Sequence, residues 1–277
     1  MVNARAVRRA CAAVLVAALA LVCAGCASRT STSSRSLPNS SVNDSNSVGG
    51  GSASTATTDA TTPTAAAPSS SYVVAIDAGH QAHGNSSQEP IGPGASETKA
   101  KVTSGTTGTY SGTPEYVVNL QVALKLRDYL TAKGVTVVMV RETNDVDISN
   151  SQRAAAANDN NADLFVRLHC DGADGSSANG FCTLVPGTNS WTEPIVAESA
   201  RAGEIVQASA VNATGARDLG VKERTDLSGF NWCTVPTVLC EMGFMSNQEE
   251  DAKLNSDSYQ QQLAQGIGDG VYQYLTS

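Results

Sequence analysis

The chain has 277 residues and a formal net charge of −8, with 41% apolar, 16% charged and 5% aromatic residues. That length suits one domain of ordinary size with a long tail. Three of the 18 basic residues (Arg5, Arg8, Arg9) lie in the first 26 positions, so the remainder sets 15 basic against 26 acidic residues, a net of −11. An acidic excess of that size repels phosphates and excludes nucleic acid as an electrostatic partner.

Residues 1–9 are basic and residues 10–25 (ACAAVLVAALALVCAG) are apolar, the order of an export signal. The apolar run is shorter than the roughly 20 residues a membrane span needs. Cys23-Ala24-Gly25-Cys26 resembles a bacterial lipobox, which predicts a signal peptide over 1–26 and diacylation of Cys26. Cys23 stands where an aliphatic residue is usual, and ordinary cleavage after Ala27 is the alternative. Residues 27–71 are mostly Ser, Thr, Asn, Ala and Gly, too poor in apolar side chains to offset their ordering entropy. They read as a disordered tether with a root-mean-square span of about 35–40 Å. A lipid anchor there would place the protein on the outer face of the cell membrane or in the wall space.

One α/β domain is predicted over 72–277. Tyr72-Val-Val-Ala-Ile-Asp77 is a short buried strand ending at Gly79-His80. Residues 81–113, rich in Gly, Ser, Thr and Pro, read as a long loop. Thr113-Pro114 then looks like an N-cap with proline at the first helical position, opening a helix that ends at Gly134. Val135–Val140 is a second strand, and Ser149-x-x-Gln152 is a capping box opening an Ala-rich helix. Further strands follow at 163–169, 180–185 and 237–241, with helices at 193–212 and 258–275. Alternation of this kind predicts a three-layer α/β fold. Its mostly parallel sheet has about five or six strands, with helices on both faces.

In open α/β sheets, ligands sit beyond the carboxyl ends of the strands. Those ends carry His80, His169 and Glu241, and Glu115 opens the first helix. Two imidazoles and a carboxylate make a catalytic zinc set that leaves a position for water. A further carboxylate would serve as general base. With only three histidines in the chain, two at the ends of buried strands outweigh the reading of each as an ordinary loop residue.

At these residues the sequence resembles the zinc-dependent N-acetylmuramoyl-L-alanine amidases of the amidase 3 family, bacterial cell-wall hydrolases. The matching stretches are Ile76–His80, Glu115–Leu120, Val140–Asp145, Arg153 with Ala157-Asn158, Asp163–His169 and Val238–Asn247. The resemblance implies one Zn²⁺ per chain on His80, Glu115 and His169, with Glu241 as the catalytic glutamate. It implies hydrolysis of the amide between N-acetylmuramic acid and the L-Ala of peptidoglycan stem peptides, in wall remodelling or daughter-cell separation. A zinc peptidase acting within the stem, and a non-catalytic wall-binding lipoprotein, are the rival readings.

The sequence departs from the family pattern in places. The stretch between His80 and Glu115 is long and contains Glu89 and Glu97, rivals for the ligand role. His83 reads as a loop residue or a substrate contact. Arg167-Leu-His-Cys-Asp171 stands where Ser-x-His-x-Asn is common. No plugging helix is evident between Gly187 and Phe230, which predicts a monomer active without an activator. Asp77 is expected to orient an imidazole, and Arg224 and Asn231, with Trp232, to line the groove. Cys170, Cys182, Cys233 and Cys240 are an even set in an exported protein and suggest disulfides, with three pairings open.

Overall fold

The computed structural model describes residues 72–277. The signal segment 1–26, Cys26 and the tether 27–71 lie outside the described residues. Among the described residues no helix is long and apolar enough to cross a membrane.

The apolar runs form the interior strands. In chain order the elements are β1 (Val73–Ala78), β2 (Asn85–Pro90), β3 (Thr98–Val102), α1 (Glu115–Ala132), β4 (Thr136–Met139) and α2 (Asn150–Asp159). Then come β5 (Leu164–Asp171), β6 (Phe181–Pro186), α3 (Val196–Thr214), β7 (Asp218–Arg224), α4 (Ser228–Asn231), β8 (Thr237–Phe244), α5 (Gln248–Leu254) and α6 (Asp257–Thr276). Six strands make the central sheet in the order β4-β1-β5-β8-β6-β7. Its pairs are parallel except β6 with β8.

Side chains alternate across each strand. On β5, Leu168 and Cys170 join the larger core with Val118 and Leu126 of α1 and Ile267 of α6. Phe165 faces the other layer with Ala154 and Ala157 of α2. Arg167 and His169 share the Phe165 face, so one strand supplies both core and site. The three-layer reading therefore holds. The capping box is also formed: Ser149 accepts from the Gln152 amide while the Gln152 side chain accepts from the Ser149 amide. At α1 the cap is Pro114 itself, with no side-chain cap bond, and Glu115 is the first helical residue.

The expected long loop at 81–113 is instead partly a β-hairpin, β2 pairing antiparallel with β3. Bonds from outside hold it. The indole N–H of Trp232 donates to Pro90 O at 2.9 Å, and Asn231 Nδ2 to Ile91 O at 3.0 Å. Lys99 Nζ reaches Asp226 O at 2.8 Å. The hairpin is thus a fixed wall beside the carboxyl ends of the central strands.

The disulfide expectation is corrected: Cys170, Cys182, Cys233 and Cys240 are all free and buried. They are divided among separate apolar clusters. Cys233 packs with Ala75 and Phe165, and Cys182 with Leu184 and Phe230. Cys170 and Cys240 lie in the main core on the opposite sheet face. Burial pushes their thiols up, so they behave as small apolar side chains.

Candidate active site

The turn after β1 and the carboxyl end of β5 bring His80 and His169 against the start of α1. Their rings meet edge to face with centroids 4.7 Å apart. Glu115 lies between them, its Oε2 3.3 Å from His80 Nε2 and its Oε1 3.3 Å from His169 Nδ1. The donor atoms of all three residues lie within 4.8 Å of one another. The backbone N–H groups of Thr106 and Cys170 donate to Glu115 at 2.9 and 3.0 Å, and Asn119 Nδ2 at 3.1 Å. Asn119, one turn along α1, is on the same helix face. Burial opposes the Glu115 charge, but the bonds to His169 and His80 hold its carboxyl far below the usual range.

His80 Nδ1 lies 3.0 Å from the Thr103 carbonyl oxygen and 3.1 Å from the Thr103 hydroxyl; the carbonyl can only accept, which favours the proton on Nδ1. In a neutral imidazole that leaves a lone pair on Nε2 facing a carboxylate oxygen. Nε2 meets that oxygen either as an N–H donor of the imidazolium, which lowers the Glu115 pKa, or as a lone pair with a cation between the two. His169 is neutral at pH 7, since burial pushes its pKa down to about 4. Its Nε2 is buried without a partner. Two ligands sharing one cation at about 2.0–2.1 Å stand about 3.3 Å apart, the distance at which each imidazole meets its own oxygen of Glu115. The residues therefore fit a zinc-sized cation.

His80 has a φ of 57°, a left-handed conformation that costs roughly 1–3 kcal/mol in a non-glycine residue. Arg153 over-determines it, donating to His80 O at 3.0 Å and to the Gln81 side chain at 2.8 Å. Gly105, at φ +80°, lets the returning hairpin pass close to the centre, because a Cβ there would stand 2.5 Å from Glu115 Oε2.

Glu241 is the register partner of His169 across β5 and β8. Its Oε2 is buried without a partner. Burial first, then the charges of Glu115 and Asp171, push its pKa up to about 8. It lines one groove together with His80, His169, Arg167, Arg224 and Leu239.

Other expectations are revised. Asp77 orients no imidazole: Arg153 Nη1 donates to it at 2.6 Å and Arg167 Nε at 3.0 Å, in a buried ion triad. Burial works against its charge, and the two guanidinium groups more than offset it. Asn231 is buried and braces the hairpin and Asn189 rather than lining the groove. Arg224 does line it, with its guanidinium on Asp226 in two 2.8 Å bonds. Glu89 is turned to Ser151, Glu97 is exposed, and His83 is exposed outside the metal-type cluster. The supporting roles of Thr103, Thr106 and Asn119 were missed. Only Asn119, four residues after Glu115, carried a spacing signal.

The model of the N-acetylmuramoyl-L-alanine amidase family (Amidase_3) matches residues 74–273. The chain belongs to this family. Its relatives include the N-acetylmuramoyl-L-alanine amidase Rv3717 of Mycobacterium tuberculosis, 30% identical over 74% of this chain and 87% of that protein. The amidase LytC of Bacillus subtilis is 33% identical over 59% of this chain and 32% of LytC. The crystal structure of the amidase Ami1 from Mycobacterium smegmatis aligns over 74% of this chain and 97% of Ami1, with a TM-score of 0.66 and 28% identity. This cell-wall amidase family is hydrolytic, and its match spans nearly all of the described fold.

Proposed function

We propose that this amidase is a zinc enzyme that cleaves the amide between N-acetylmuramic acid and the L-Ala of peptidoglycan stem peptides. His80, Glu115 and His169 would hold the ion, and Glu241 is the general base and acid. The observation that carries this reading is the convergence of the three donor groups with the buried carboxyl of Glu241 in register beside them. Zinc held there would polarise the scissile carbonyl and lower the pKa of a water molecule.

The chain's own groups supply the rest. A cation at the cluster stabilises the carboxylate form of Glu241 against the burial that otherwise keeps it protonated. Glu241 can then accept a proton from the attacking water and deliver it to the leaving nitrogen. Thr103 fixes the His80 ring, and three donors fix Glu115, so both ligand groups are oriented beforehand.

The basic and apolar run at 1–26 supports export, with lipid attachment at Cys26 and a tether over 27–71. Between Gly187 and Phe230 the chain is used for α3, which packs on α6, and for β7 and the start of α4. That use supports activity without an activator, in remodelling or daughter-cell separation. The test is digestion of purified peptidoglycan followed by mass spectrometry. Free stem peptides with an L-Ala amino terminus support the reading. Cuts inside the stem would make the protein a peptidase, and no cleavage by zinc-loaded protein would refute the hydrolase.

A further inference from the structure

The sheet face toward the groove carries two rows of side chains. Asp77, Arg167 and Leu239 are neighbours across β1, β5 and β8. The next row toward the carboxyl ends holds His169, Glu241 and Cys182. Same-face rows lie two residues apart, about 6.6 Å.

Arg167 is only 4% exposed, yet it lines the groove. Its Nε is committed to Asp77. Neither Nη1 nor Nη2 donates a hydrogen bond among the described residues. Gly229 leaves room for them, since a Cβ there would run into Nη1 and Cζ. The neighbouring cations are engaged: Arg224 with Asp226, Lys99 with Asp226 O, and Arg153 with Asp77, Gln81 and backbone carbonyls. One Asp77 carboxylate thus faces two guanidinium groups, and the positive excess emerges at the Arg167 end. A nearly buried guanidinium fork with free N–H groups is matched to a carboxylate.

We propose that Arg167 Nη1 and Nη2 bind a substrate carboxylate on the residue following L-Ala, making Arg167 a positioning and specificity-determining residue. This rests on the amidase reading. The glycan side of the scissile bond offers hydroxyl and acetamido groups, so an anion must come from the peptide side. An extended peptide spans about 3.3–3.6 Å per residue. With the scissile carbon at the His169–Glu241 row, a carboxylate on the second stem residue lies about 7 Å away. That is one row along β5, where Arg167 stands.

The test uses two muramoyl tripeptides that differ only at the free carboxylate of the middle residue, left as the acid or converted to the carboxamide. The zinc-loaded full chain is expected to favour the acid by about tenfold or more in kcat/KM, the size of a charge-assisted bond. In Arg167→Gln the acid/amide ratio should fall to about one, and Arg167→Lys should restore part of it. The ratio is taken within each variant, so it is unaffected by any loss of folded protein. Equal cleavage of both substrates by the wild type, or an unchanged ratio in Arg167→Gln, overturns the proposal and leaves the amidase reading standing. Cleavage of neither substrate overturns both.

Discussion

His169 and Glu241 face each other as register partners on β5 and β8, on the sheet face opposite Cys170 and Cys240. This pairing sets the imidazole of a metal-type cluster beside a carboxyl whose pKa is pushed up to about 8. Glu115 is driven the other way by its hydrogen bonds. Two carboxyl groups pushed apart by their surroundings are suited to different tasks, one as a permanent anion and one as a proton carrier.

That separation predicts a pH dependence of stability in the metal-free protein. Unfolded Glu241 loses its proton near 4.5, folded Glu241 only near 8. The folded state binds the extra proton between those values, so stability falls as pH rises through the window. His169 acts oppositely, but below about 6.5, where its unfolded form takes up a proton. Between pH 6.5 and 8, wild type should therefore lose about 2 kcal/mol relative to Glu241→Gln. Urea unfolding of both proteins across that range checks it, and parallel pH curves would contradict it.

Asn119 donates to both Glu115 Oε1 and Gly79 O. Asn119→Ala should weaken zinc binding by about 10–100-fold, the usual cost of removing a partner of a metal ligand. Competition against a chromophoric chelator measures this. Unchanged affinity would mean that the other donors alone orient the carboxylate.

The triad of Asp77 with Arg153 and Arg167 is buried, so removing its anion leaves two guanidinium groups uncompensated. Asp77→Asn should cost about 3–5 kcal/mol in denaturant unfolding. Breaking the exposed Arg201–Glu198 pair should cost less than about 1 kcal/mol. Equal effects would show that burial does not govern these pairs.

Thiol reactivity should follow burial. Cys170, Cys182, Cys233 and Cys240 are expected to resist a thiol reagent in the native protein. All four should react in residues 72–277 once unfolded without reductant. Two reactive thiols instead of four would reveal a bridge.

The interior strands were legible because Val73–Ala78, Leu164–Leu168 and Val238–Cys240 are mostly apolar runs between turn signals, broken only by Asp77 and Arg167. The hairpin was not, because Asn-Ser-Ser-Gln-Glu-Pro at 85–90 has no apolar alternation and is held by side chains distant in sequence. β7 (Asp218-Leu-Gly-Val-Lys-Glu-Arg) escaped notice as a charged edge strand, beside which only β6 pairs. The site residues His80, Glu115, His169 and Glu241 could be picked out from strand ends and matched motifs. The role of Asp77 could not, since buried arginines read as surface residues until the fold encloses them.

The central claim is that three residues hold one metal and a fourth moves the proton. The most direct test measures zinc content and peptidoglycan hydrolysis on the same samples of wild type, His169→Ala and Glu241→Gln. The account predicts one zinc and full activity in wild type, and loss of both in His169→Ala. It predicts one retained zinc with a drop of about 10²–10⁴-fold in kcat for Glu241→Gln. Near-normal hydrolysis by Glu241→Gln, or a full equivalent of tightly bound zinc in His169→Ala, would contradict it.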